Sequence, residues 1–139
     1  MNYLDVSQQA GARYFSTPGE GPVVMLNLLR FRETAVFPPG KAPAEPMSGG
    51  EAYKTYMRHT QPYLEEAGGE VLFAGRAEHF LIGPETETWD FVLLVRHRSK
   101  AAFLGFARHE GYLKTAYYRK AALADSRLLP MTPGFGQRP

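Results

Sequence analysis

The sequence predicts an α+β fold: a four-stranded antiparallel sheet in the order strand, helix, strand, strand, helix, strand, with both helices on one face. Three stretches predict it. Val23-Val24-Met25-Leu26-Asn27-Leu28-Leu29-Arg30, behind the turn pair Gly21-Pro22, is apolar on both faces and so belongs in the middle of a sheet. Ser48-Gly49-Gly50-Glu51 is a capping box that opens a helix. Glu70–Ile82 and Trp89–His97 are two apolar runs joined by the turn Gly83-Pro84-Glu85-Thr86-Glu87-Thr88, which makes a hairpin, and Ser99 then caps a second helix.

Before the first strand, Asp5-Val6-Ser7-Gln8 resembles a capping box, and a short helix is expected from there to about Phe15. Thr17 to Pro22 is a loop by composition. After the strand, the Pro-rich stretch 33–47 excludes regular structure, because proline removes donors and fixes φ. A loop of that length is a covering flap or a tolerated insertion. The helix behind Ser48 places Ala52, Tyr53, Tyr56, Met57, Thr60, Tyr63, Leu64 and Ala67 at helical spacing, with Pro62 as a kink or end and Gly68-Gly69 as terminator. In the second strand Gly75 is the expected bulge. The second helix runs from Lys100 to about Arg108, and another helical piece follows Glu110-Gly111. Ser126–Met131 is a last strand whose Pro130 suits an edge, and 132–139 is a tail. The whole, 1–139, is expected to be one ferredoxin-like domain with an N-terminal helix and loop at 1–20.

Composition narrows the function classes. The 139 residues include no cysteine, which removes disulfides, thiolate catalysis and Cys-based metal sites. No long apolar run or N-terminal signal pattern is present, so no membrane role and a cytoplasmic setting are expected. The net charge of +2 is dispersed, and no nucleic-acid partner is expected. His59, His79, His97 and His109 lack metal-ligand spacing, so no metal site is expected; no cofactor is expected either, with a single histidine, His109, as the one alternative that could ligate a haem. No Gly-x-Ser-x-Gly elbow or phosphate-binding glycine loop occurs.

An antiparallel sheet with one wet face alternates cleanly between apolar and polar residues, and these strands do not. The second face therefore meets another surface. A homodimer packed sheet to sheet is the simplest solution, and cover by the N-terminal helix and Pro-rich loop is the competing one.

Pro22 to Arg32 resembles the first strand of a family of small bacterial proteins of unknown function within the dimeric α/β barrel superfamily. Gly49 to Tyr53, Trp89-Asp90, Val95-Arg96, Ser99 to Leu104 and Tyr118 to Leu128 resemble the same family, so the likeness spans roughly Gly21 to Leu129. One departure is Tyr118-Arg119, where that family often carries His-Arg. The resemblance implies the fold. It implies no single activity, since the superfamily holds cofactor-free monooxygenases, isomerases, haem-handling enzymes and ligand-binding proteins.

The topology collects Arg30, Arg32, Tyr53, His79, Trp89, Asp90, Arg119 and Asp125 at one end of the sheet, beside the helix N-terminus behind Ser48. Arginines, a helix N-terminus, an imidazole and aromatic walls describe a pocket for a small anionic or aromatic molecule, with the Pro-rich loop as a lid. In that reading Asn27, Arg30, Arg32, Tyr53, Trp89 and Arg119 bind the ligand and His79 is the acid/base of a cofactor-free, monooxygenase- or isomerase-like enzyme. Each has a plainer role. Asn27 can bond a neighbouring backbone, His79 can be structural, Trp89 and the Tyr53/Tyr56/Tyr63 stripe can be core, and Arg119 can cap carbonyls. The second reading is a non-catalytic dimer that binds a small molecule or only assembles.

Overall fold

A computed structural model describes residues 2–17 and 19–134. The elements are α1 (Gln8–Ser16), β1 (Val23–Phe31), α2 (Gly49–Glu66), β2 (Glu70–Arg76), β3 (Phe91–His97), α3 (Lys100–Ala107), α4 (Glu110–Thr115), α5 (Tyr117–Ala122) and β4 (Leu123–Met131). The strands form one antiparallel sheet in the order β2-β3-β1-β4, so the arrangement is the α+β, ferredoxin-like one and β1 is central. Of the expected tail, 132–134 has no regular structure and 135–139 lies outside the described residues.

The capping box at Ser48 forms as predicted: Glu51 N–H donates to Ser48 Oγ at 3.1 Å and Ser48 N–H to Glu51 Oε1 at 3.2 Å. The helix then runs through Pro62 to Glu66 rather than ending at the proline. Four other boundaries differ. The first helix begins at Gln8 with Ser7 as its cap, while Asp5 leaves the cap to pair with Lys120 at 2.9 Å. β2 ends at Arg76 because Ala77 N–H donates to Asp90 O and closes the ladder, leaving 78–82 no strand to pair with. His79 is thus in an exposed loop rather than a strand, and Trp89 lies just before β3. The β2 bulge falls between Val71 and Phe73, not at Gly75. Finally, β4 starts at Leu123, because its pairing with β1 continues past Ser126 to Phe31.

Register separates the two faces. Val23, Met25, Asn27, Leu29 and Phe31 share one face of β1 with Leu93, Val95 and His97 of β3. That face meets the helices. Leu29 packs with Ala52, Tyr53 and Tyr56 of α2 and with Ala122 and Leu123, while Leu93 and Val95 pack with Leu64 and Phe106. The opposite face carries Val24, Leu26, Leu28 and Arg30 of β1, opposite Leu94 and Val92 of β3 and Leu129 and Arg127 of β4. α1 does not cover it: Phe15 stacks on Phe103, and Lys100 Nζ donates to Tyr14 O and Thr17 O. The Pro-rich stretch does not either. Ala35 and Met47 bond to each other, Val36 N–H donates to Ala121 O, and Phe37 stands edge-on to Tyr117 and Tyr118.

β1, α2 and the α5–β4 junction cross at Gly49. Gly49 N–H donates to Arg32 O at 3.0 Å, and Arg32 N–H donates to Ala122 O at 2.8 Å. A Cβ at position 49 would land on Arg32 O and lie 2.6 Å from Ala122 O. Gly50, one residue on, would place its Cβ in ordinary contact with Phe31 at 3.8 Å. Gly49→Ala is therefore expected to cost about 3 kcal/mol in urea denaturation, and Gly50→Ala to be neutral or stabilising by about 0.5 kcal/mol.

His97, buried under Phe103 and Phe106, has no partner for Nδ1 among the described residues, and burial pushes its imidazole down to about 4. Above its ordinary value of 6.5 the ring is neutral both folded and unfolded. Below it, only the unfolded chain takes the proton, so stability falls with pH, by about 3 kcal/mol once pH 4 is reached. Denaturation midpoints measured across that window should show this slope, and His97→Phe should remove it.

Candidate functional site

The residues expected to form one pocket are divided between the two sides of the sheet. On the helical side, Asn27 Nδ2 donates to Met25 O at 3.4 Å and Leu93 O at 3.3 Å, which is backbone satisfaction inside the core. Tyr53 is fully buried against Phe31 and Tyr56, and burial raises its phenol to about 12. Tyr56 and Tyr112 share a hydrogen bond of 2.7 Å, and burial holds Tyr56 well above the usual phenol range, so Tyr53 and Tyr56 are neutral phenols. Arg119 donates to Leu4 O at 2.7 Å and to Ser126 Oγ at 3.4 Å, and so ties the N-terminal segment to β4. Arg32 spends its backbone on the Gly49 crossing and keeps a buried Nε without a partner among the described residues.

The start of α2 is not an open anion site. Its Ser48, Gly49 and Glu51 N–H groups are already bonded within the chain, and the Glu51 carboxylate occupies the position that favours negative charge. The Pro-rich stretch, pinned at both ends against the helical side, is no lid over the open face.

Arg30 and Trp89 do come together, on the open face. The β2–β3 connection returns over this face, and its Thr88 carbonyl accepts from Arg30 Nε at 3.0 Å and Nη2 at 2.8 Å. Trp89 is thereby laid against the sheet, 5% exposed, with its indole N–H donated to Glu87 at 2.9 Å. Two guanidinium groups lie over this indole, Arg30 at 5.1 Å and Arg127 at 4.9 Å from the ring centroid. Tyr3 adds its ring at 4.9 Å from the Arg127 guanidinium.

Asp125 organises the corner. Its Oδ1 accepts from Arg127 Nη1 at 2.7 Å and from the Tyr3 and Ser126 backbones at 2.8 Å each, and Oδ2 lies 3.8 Å from Arg30 Nη1. Burial pushes its carboxyl up, but the hydrogen bonds from Tyr3, Arg127 and Ser126, with the Arg127 charge, outweigh this and hold it below the usual carboxylate range. One carboxylate is thus set between two guanidinium groups. Among the described residues, Nε and Nη2 of Arg127 have no hydrogen-bond partner, and both arginine side chains are about one-third exposed.

Sequence reasoning missed Arg127 and Tyr3. Asp125 and Arg127 stand two apart on one strand and so share a face, but the signal needed β4 to begin at Leu123. His79 is exposed in the 77–90 connection, and no hydrogen bond or ion pair joins it to Arg30 or Arg119 among the described residues. No group of three His, Cys, Asp or Glu among the described residues is placed to hold a metal. No helix among the described residues is long and apolar enough to cross a membrane.

Trp89 is the chain's single tryptophan, so its emission reports this corner alone. Arg127→Ala should red-shift that emission, increase its quenching by iodide and cost about 1 kcal/mol of stability. An unchanged spectrum would mean that the arginine does not cover the indole.

No protein-family model matches the chain, and no curated protein matches it. A crystal structure of the methylated RPA0582 protein matches 96% of this chain and 96% of its own at 37% identity, with a TM-score of 0.87. A second, of RPA0582, a protein of unknown function from Rhodopseudomonas palustris, matches 96% and 98% at 36% identity, with a TM-score of 0.85. A dimeric ferredoxin-like protein of unknown function from Jannaschia sp. CCS1 matches 81% of this chain and 99% of its own at 12% identity, with a TM-score of 0.52. That last likeness shows the fold alone.

Proposed function

We propose, from the premise that this chain belongs to the family of the Rhodopseudomonas palustris protein RPA0582, that it acts as a homodimer joined through the open sheet faces, each copy binding a small anionic, partly apolar molecule at the Arg30–Trp89–Arg127 corner. The observation that carries the binding site is the free edge of one guanidinium. Two guanidinium groups share one buried indole, balanced by the carboxylates of Asp125 and Glu87, and among the described residues Arg127 Nε and Nη2 have no partner beside that aromatic surface. A carboxylate matches such donors in a bidentate fork, and an apolar body matches the adjoining side chains. The binding reading is preferred to the catalytic one because the imidazole of His79 is exposed in a loop and makes no hydrogen bond or ion pair to Arg30 or Arg119 among the described residues.

The dimer rests on the open face. Val24, Leu26, Leu28, Val92, Leu94, Phe73 and Leu129 line it, no helix among the described residues covers it, the β2–β3 connection crosses it at Thr88 and Trp89, and Phe73 and Leu129 are 53% and 55% exposed. An apolar face of this extent is a protein-contact surface, and a two-fold contact of like faces closes at two copies. The Jannaschia relative, described as dimeric, agrees with this.

Sedimentation equilibrium at micromolar concentration should give a dimer, and Leu26→Asp a folded monomer. Titration with benzoate, phenylacetate and hexanoate, followed by Trp89 emission, should give a saturable change that Arg127→Gln weakens at least about tenfold, the loss of one charge-assisted contact. No saturable change at millimolar ligand, or one indifferent to Arg127→Gln, would sink the binding site. A monomeric wild type would sink the dimer.

A further inference from the structure

The two most exposed large apolar side chains of the described residues are Leu81 and Ile82, at 96% and 95%. They are neighbours at the apex of the 77–90 connection, within the uncharged run Phe80-Leu81-Ile82-Gly83-Pro84. A single exposed aliphatic residue is ordinary, whereas two adjacent ones at the tip of a loop are a contact surface lacking its counterpart.

The loop that carries them is braced. Its base is closed by Ala77 N–H on Asp90 O at 2.9 Å, and its return leg by Glu87 N–H on Pro84 O at 3.3 Å. Thr88 O is gripped by Arg30, and Trp89 is held against Arg30 and Arg127. At the apex the Phe80 ring folds under Gly83, where an added Cβ would come within 2.8 Å of it. The turn therefore rests its aromatic residue, 38% exposed, against Gly83 and presents its two aliphatic ones fully outward.

We infer that the 77–90 loop is an intermolecular clasp, in which Leu81 and Ile82 of each copy seat on a second copy of this chain at the margin of the sheet-to-sheet contact. The inference rests on the dimer proposed above and names a second part of its interface. Two observations select a second copy as the occupant. The return leg of the loop lies on the open face itself, so the loop that carries the apex borders that surface. The apex segment Phe80 to Pro84 is uncharged and hence suited to an apolar landing surface, and the open face offers one in Phe73 and Leu129. In a two-fold dimer the contact is made twice, and it places the partner's chain next to the loop that holds Trp89.

The test compares three proteins by sedimentation equilibrium: the wild type, Leu26→Asp on the sheet face, and Leu81→Ser with Ile82→Ser on the apex. The apex variant should keep the wild-type circular dichroism spectrum, because both side chains are solvent-exposed in the single chain. Its dimer dissociation constant should rise at least tenfold. The chain has no cysteine, so a nitroxide on Leu81→Cys reports this position alone. The label should be immobilised in the wild-type background and mobile with Leu26→Asp. An apex variant that dimerises like the wild type, with an equally mobile label in both backgrounds, overturns the clasp and leaves the dimer standing. A wild type that is monomeric overturns both. Binding of phosphatidylcholine vesicles that the apex variant loses, with dimerisation unchanged, also overturns the clasp and assigns the apex to a lipid surface.

Discussion

Three segments of the chain meet backbone to backbone at Gly49, and the remainder of the fold depends on that crossing. The strand that leaves the sheet at Phe31, the helix that begins behind Ser48 and the return of the chain into β4 each give or take a main-chain hydrogen bond there. Only a residue without a Cβ lets them approach so closely. The crossing sets the angle at which α2 lies on the sheet, and with it which of its side chains reach Leu29. It also closes off the helix terminus that would otherwise attract an anion. A position that looks like a binding site in sequence is here a structural junction.

The sheet divides the chain's polar chemistry into two kinds. On the helical side, Asn27, Tyr53, Tyr56, Tyr112 and Arg119 hold the fold, with phenol hydroxyls and backbone carbonyls as partners. On the open side, Arg30 and Arg127, partly in water, and the buried carboxylate of Asp125 gather around one indole. Alternation along β1 decides this split: Asn27 and Arg30 are three residues apart, so they face opposite ways.

Much of the fold was legible because its signals are local. The Ser48 and Ser99 caps, the Gly68 terminator and the continuous apolar run of β1 each act within a few residues, and each is where the sequence places it. The misreadings share a different cause. Whether Leu81 and Ile82 continue a strand depends on where β3 begins to pair, and whether β4 starts at Leu123 depends on β1, roughly a hundred residues earlier. The site followed suit. Arg30 and Trp89 were legible as candidates from their position at the strand exit, while Arg127 required the β4 register. His79 was misplaced with the strand that was drawn too long, and Ser7 took the cap from Asp5 through a one-turn choice between two good capping residues.

Both edges of the sheet are blunted. β2 carries its bulge at Leu72 and an ion pair between Glu70 and Arg96, and β4 carries Pro130, which offers no N–H, and is overlain at Asp125 and Ser126 by the Tyr3 backbone. A strand from another molecule therefore finds no clean rank of donors and acceptors to extend. Runaway growth by edge addition, the route to fibrils, is obstructed at both ends of the sheet, although the same sheet shows an apolar face to water. The molecule can be sticky in one direction without being prone to polymerise in the other.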